Sequence, residues 1–151
     1  MYNIDIICVG TLKESYLRDA GLEYIKRLTP YARLSIFEVK EARTPDEEGV
    51  AIRAILDGSA AGATIIALDI KGKKMSSEDF AEKIKTMGVD GQSHLAFVIG
   101  GSTGLSSTVL GCADMRLSFS DMTFPHQLMR IILLEQIYRA FRIMRGEPYH
   151  K

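Results

Sequence analysis

Phe97-Val-Ile-Gly-Gly-Ser-Thr-Gly104 is an apolar run that stops at two adjacent glycines and leads into a segment of helical spacing, about Gly104 to Gly111. A strand that ends in glycines and turns into a helix is the repeating unit of an α/β domain. In such sheets ligands bind beyond the carboxyl ends of the strands, where glycines let a cofactor approach the backbone and helix amides face it. Gly100, Gly101 and Gly104 do not form G-x-G-x-x-G, and no G-K-[ST] follows, so a Walker nucleotide loop is excluded. By itself the turn is equally compatible with a tight connection that binds nothing.

Four other short runs rich in Ile and Val read as strands: Ile4 to Val9, Leu34 to Val39, Thr64 to Ile70 and Met115 to Phe119, with Leu95 to Ile99 completing the set. Between them lie helical spacings at Leu12 to Leu28, Pro45 to Ala60 and Glu78 to Met87. Thr44-Pro45-Asp46-Glu47 has a capping hydroxyl, a first-turn proline and a glutamate in capping-box order. Strand and helix alternate throughout, so the expected fold is α/β, a largely parallel sheet with helices on both faces.

The chain has 151 residues, 46% hydrophobic and 25% charged, which excludes a disordered tail or a collagenous rod and fits one domain spanning residues 1–151. No stretch approaches the roughly 18 consecutive apolar residues of a membrane span. The N-terminus also lacks a secretion-signal layout, so a soluble cytoplasmic protein is expected. Cys8 and Cys112 stand in separate apolar contexts with no C-x-x-C spacing, which reads as buried thiols and not as a disulfide or a metal site.

Nineteen basic residues balance nineteen acidic ones. The balance fails locally: in residues 126–151, Arg130, Arg139, Arg142, Arg145 and Lys151 face only Glu135 and Glu147. A polyanionic partner is therefore expected at the C-terminus. The last helix, about His126 to Arg145, carries apolar residues on more than one face, too wide for a helix on a single sheet. A homodimer interface is the favoured reason, ahead of a helix wedged inside one core.

Lys73-Lys74-Met75-Ser76-Ser77 is similar to the K-M-S-K-S loop of class I aminoacyl-tRNA synthetases, but the H-I-G-H element of those enzymes is missing. The lysines read instead as a solvated turn, with Ser76 or Ser77 capping the next helix.

The remaining motifs are Leu117-Ser-Phe-Ser-Asp-Met-Thr-Phe-Pro-His126, Leu133-Leu-Glu-Gln-Ile-Tyr-Arg-Ala-Phe-Arg142 and Gly146-Glu-Pro-Tyr-His-Lys151. Singly they are a loop, a helix and a tail. In this order, after a strand ending in Gly-Gly, they resemble the ribosomal RNA large subunit methyltransferase H family of the SPOUT class. The resemblance spans the chain, including the N-terminal I-x-x-V-G-T and the A-L-D-I-x-G-K segment at Ala67 to Lys73.

That resemblance implies a SPOUT-type domain with a C-terminal trefoil knot, dimerising through its last helix. It implies methylation of N3 of a pseudouridine in 23S rRNA, with S-adenosylmethionine as cofactor and no metal. The substrate would be large-subunit rRNA or the assembled ribosome. Carried over by motif, the cofactor residues are Leu68, Gly100, Gly101 and the loop Phe119, Ser120, Asp121, Met122, Thr123, Phe124 and Pro125. His150 is the candidate base or base orienter, and Tyr149 the candidate partner of the uracil ring. Arg130, Arg139, Arg142 and Lys151 are the candidate phosphate contacts. Members often end in arginine where this chain has Lys151, which keeps the charge and loses a bidentate fork. The alternative expectation is a cofactor-binding knotted protein that associates with the ribosome and transfers nothing.

Overall fold

The computed structural model describes residues Met1–Tyr149; the expectations for His150 and Lys151 lie outside the described residues. The elements are β1 (Tyr2–Val9), α1 (Ser15–Leu28), β2 (Ala32–Val39), α2 (Pro45–Asp57), β3 (Thr64–Lys74), α3 (Ser77–Val89), β4 (His94–Ile99), α4 (Ser107–Gly111), β5 (Met115–Ser118) and α5 (His126–Met144). The strands form one sheet in the order β2-β1-β4-β3-β5, and every ladder is parallel. The expected α/β architecture is present.

Period-two alternation divides the core. Ile4, Ile6 and Cys8 of β1 join Leu95, Phe97 and Ile99 of β4 beneath α1, α3 and α5. Ile7, Val9, Ala96 and Val98 point the other way, beneath Ile52 and Leu56 of α2 and Val109 of α4. The central strands are therefore apolar on both faces, as a doubly covered parallel sheet requires. Caps fall where expected: Thr44 accepts from the Glu47 amide and Ser76 from the Asp79 amide.

Three expectations change. The helix expected from Gly104 starts only at Ser107, because Gly104 has φ +84° and Ser106 caps the Val109 amide. β3 does not stop at Ile70. After a register break, Lys73 and Lys74 pair with Leu117 and Ser118, so those lysines sit on a strand and not in a turn. Gly72 makes this close approach at the register break possible, since a Cβ there would lie 2.7 Å from the carbonyl carbon of Arg116. Third, α5 packs between α1 and α3, over the sheet, burying Ile131, Leu133, Leu134, Ile137, Ala140 and Phe141. Most of its apolar width is thus used within the chain. What remains outward is a shorter stripe, chiefly Leu128 and Ile132.

Candidate functional site

The carboxyl ends of β3, β4 and β5 open into one crevice of about 1090 Å³. Leu68 to Lys71 line it from β3, Ile99 to Leu105 from the turn after β4, and Arg116 to Ser120 from β5 and beyond. Met122 to His126 and Met129 close the side nearest α5. The residues expected to hold a cofactor, scattered over the sequence, meet here with one exception. Asp121 does not line the crevice; its carboxylate pairs with Lys74 at 2.5 Å.

Backbone contacts build the walls. The Gly104 amide donates to the Gly101 carbonyl at 3.0 Å, closing the turn. A Cβ on Gly100 would lie 2.7 Å from the Gly104 carbonyl carbon, so that position tolerates only glycine unless the turn opens. Gly101 lines the crevice, but its missing side chain points under the turn. Its absent side chain faces Val9 Cγ1 at 3.2 Å and the Glu48 carboxylate at 3.5 Å, beneath the turn. Its smallness serves packing under the turn. The second wall is fixed by serines: Ser118 Oγ donates to the Ser120 carbonyl, and the Met122 amide donates to Ser120 Oγ at 3.0 Å.

The first turns of α5 are fastened to the neighbouring strands. Arg130 Nη1 donates to Glu38 Oε2 at 2.8 Å and Nη2 to the Gly10 carbonyl at 3.0 Å. His126 Nε2 lies 3.3 Å from Glu41, and the Lys13 amide donates to Gln127 at 2.9 Å. Arg130 is 4% exposed, so the expectation of a phosphate contact is corrected: this guanidinium is an internal clamp. Its electrostatics reach Cys8. Burial pushes that thiol up to about 11, partly opposed by Arg130, which makes it an inert core group.

The other arginines are also engaged. Arg139 chelates Glu135 of its own helix, with Nη2 at 2.8 Å. Arg142 donates to Glu147 at 2.8 Å, to the Tyr31 hydroxyl and to the Pro148 carbonyl. Tyr149 donates to Glu135 at 2.7 Å, with its ring 4.9 Å from the Arg139 guanidinium carbon. Burial, then the bond to Glu135, holds its hydroxyl far above the usual phenol range, so it is a proton donor at neutral pH. It does not line the crevice of its own chain.

Sequence reasoning missed Gly10, Glu38 and Glu41, which fasten α5, and Arg116 and Lys71 on the crevice lining. Gly10 belongs to the I-x-x-V-G-T motif but nothing there shows its contact with Arg130, and no motif marks the other four, because their roles arise from packing between distant segments. Among the described residues, no group of three or more His, Cys, Asp or Glu is placed to hold a metal ion, and no helix is long and apolar enough to cross a membrane.

Comparison with known proteins places this architecture. Residues 2–150 match the family model described as "Predicted SPOUT methyltransferase". The chain is 54% identical to the ribosomal RNA large subunit methyltransferase H of Alkaliphilus oremlandii (strain OhILAs), covering 99% of each chain. It is 52% identical to the protein of the same name from Clostridium kluyveri, again covering 99% of each. Among solved structures, a probable methylase family protein from Haemophilus influenzae Rd KW20 shares the fold at a TM-score of 0.56 and 13% identity, covering 98% of this chain and 70% of that one. With its parallel sheet, its crevice at three strand ends and a match along nearly its whole length, this chain belongs to the SPOUT methyltransferase family.

Proposed function

We propose that this protein methylates large-subunit ribosomal RNA, transferring a methyl group from S-adenosylmethionine to N3 of a pseudouridine in 23S rRNA, and that it acts as a homodimer. The observation that carries this reading is the convergence of Leu68, the Gly100-Gly101 turn and the Phe119 to Pro125 loop on one crevice. Its volume is ample for a nucleoside-sized ligand. The names of the relatives favour an rRNA substrate. In this reading β5, the following loop and α5 form the knotted segment.

The lining suits the cofactor chemically. Backbone amides and carbonyls of Gly100 to Thr103 and of Phe119 to Phe124 offer donors and acceptors for an adenine edge, with Leu68, Met122 and Phe124 as apolar contacts. When bound, S-adenosylmethionine supplies an activated methyl group on a sulfonium that is already a good leaving group. The chain's remaining tasks are to position the acceptor and to remove the N3 proton. We assign proton removal or its orientation to His150, because histidine is the side-chain type whose ordinary titration range spans neutrality. Tyr149, a protonated donor, is suited to hydrogen-bond or stack on the uracil and not to act as base.

Two features support the proposed dimer. Tyr149 is held against Glu135 and Arg139, apart from the residues lining its own crevice. The outward stripe of Leu128 and Ile132 adjoins Phe124, where a smaller cavity of about 230 Å³ lies between α3, β5 and α5. A partner seated along α5 would cover that stripe and bring its tail to this crevice. Mass mapping of rRNA from cells lacking the protein tests the reading: one pseudouridine-containing fragment should lose one methyl mass. Unaltered rRNA, with S-adenosylmethionine binding retained by the purified protein, would replace it with a cofactor-binding module.

A further inference from the structure

We propose that Lys71, Lys73, Lys74 and Arg116 form a docking rim for the phosphate backbone of the RNA; the inference rests on the methyltransferase reading and places the substrate's charge contacts at the crevice mouth, away from the C-terminal arginines. In sequence the segment 63–93 is neutral: Lys71, Lys73, Lys74, Lys83 and Lys85 against Asp69, Glu78, Asp79, Glu82 and Asp90. Folding separates these charges. Three lysines go to the exposed end of β3, whereas Glu78, Asp79 and Glu82 go to α3 and Asp90 to its C-cap.

The pairing of β3 with β5 beyond the register break then adds a fourth cation. Gly72 packs directly on the Arg116 backbone, and Lys73 is in register with Leu117, so Lys71 and Lys73 flank Arg116. All four side chains belong to exposed residues. Among the described residues, no ion pair engages Lys71, Lys73 or Arg116; Lys74 pairs with Asp121, and Asp69 accepts from the Lys71 amide. Arg130, Arg139 and Arg142, unlike Lys71, Lys73 and Arg116, are each bound to a carboxylate of the same chain, and Arg145 lies over the Tyr31 ring. Lys71 and Arg116 also line the crevice, so the rim is continuous with the place where an extruded base would enter. Nucleotides flanking such a base must carry their phosphates over this edge, where cations fix position without reading sequence.

The test is the salt dependence of binding to large ribosomal subunits, by filter retention, for wild type, Lys73→Ala, Arg116→Ala, the double variant and Lys85→Ala on α3. Each rim substitution should weaken binding several-fold at low salt and flatten the slope of log affinity against log salt by roughly 0.7–0.9. Lys85→Ala should keep the wild-type slope, and Lys73→Ala should keep the wild-type affinity for S-adenosylmethionine. Unchanged slopes in the rim variants, or no subunit binding by the wild type, would overturn the proposal. Binding is measured without methyl transfer, so an inactive wild type that still shows the rim-dependent slope would refute the transferase reading alone.

Discussion

Replacing Arg130 with Met separates an internal clamp from a phosphate contact. The guanidinium side chain is 5% exposed and makes two charge-assisted hydrogen bonds, at 2.8 Å to Glu38 and 3.0 Å to the Gly10 carbonyl. Such bonds contribute about 1.5–3 kcal/mol each. Two corrections lower the sum: Glu38 is 40% exposed and can rehydrate, and Met refills much of the apolar volume of the arginine stem. A net loss of about 2–4 kcal/mol remains, which lowers the melting temperature of a chain this size by about 5–15 °C. Arg130→Lys should fall between, because an ammonium cannot serve both acceptors with the same fork geometry. Thermal unfolding followed by circular dichroism reads the effect, with ribosome binding measured alongside. If Arg130→Met melts within about 2 °C of wild type yet loses a salt-dependent share of ribosome affinity, the clamp assignment is wrong.

Gly100→Ala places a Cβ 2.7 Å from the Gly104 carbonyl carbon, so the turn must open; calorimetry should show S-adenosylmethionine affinity reduced at least about tenfold, and unchanged affinity would move the cofactor elsewhere. Ile132→Glu should dissociate the proposed dimer into folded monomers in sedimentation, whereas Leu133→Glu, at a fully buried position, should unfold the chain at a cost of several kcal/mol. A monomeric, active wild type would remove the basis for both. Deleting residues 149–151 should spare the circular dichroism spectrum and cofactor affinity while methylation of ribosomes falls at least about 100-fold. Methylation at the wild-type rate by that variant would take the acceptor site away from the tail.

Local signals in the sequence place the strands, because β4 and most of β1 are apolar runs, broken in β1 by Asp5, and Thr44 with Pro45 and Glu47 marks the start of α2; Ser76 and Ser77 are alternatives for the cap of α3, and Ser76 takes it. The loops that line the crevice have local marks of the same kind, the glycines after β4 and the proline before α5, but only the order of several motifs along the chain tied them to one site. What could not be read was set by partners far along the chain. Lys73 and Lys74 lack the apolar alternation of a strand and become one only by pairing with β5. Arg130 looked like surface charge until Glu38, 92 residues away, came within hydrogen-bonding distance. The width of the apolar surface of α5 was legible, but not that α1 and α3 would take most of it. Charge counting along the C-terminus shows the excess of arginine but not that Glu135 and Glu147 sit where they engage Arg139 and Arg142.

The central claim is methyl transfer to rRNA from a cofactor held in the crevice after β3, β4 and β5. Its most direct measurement incubates the purified protein with methyl-labelled S-adenosylmethionine and ribosomes from cells lacking the protein, then maps the labelled rRNA by mass spectrometry. The account predicts label on a single pseudouridine of 23S rRNA, carried by the base and not the ribose when the nucleoside is fragmented, and a strong reduction with Gly100→Ala. Label on another nucleotide, or none while the wild type binds the cofactor, would contradict it.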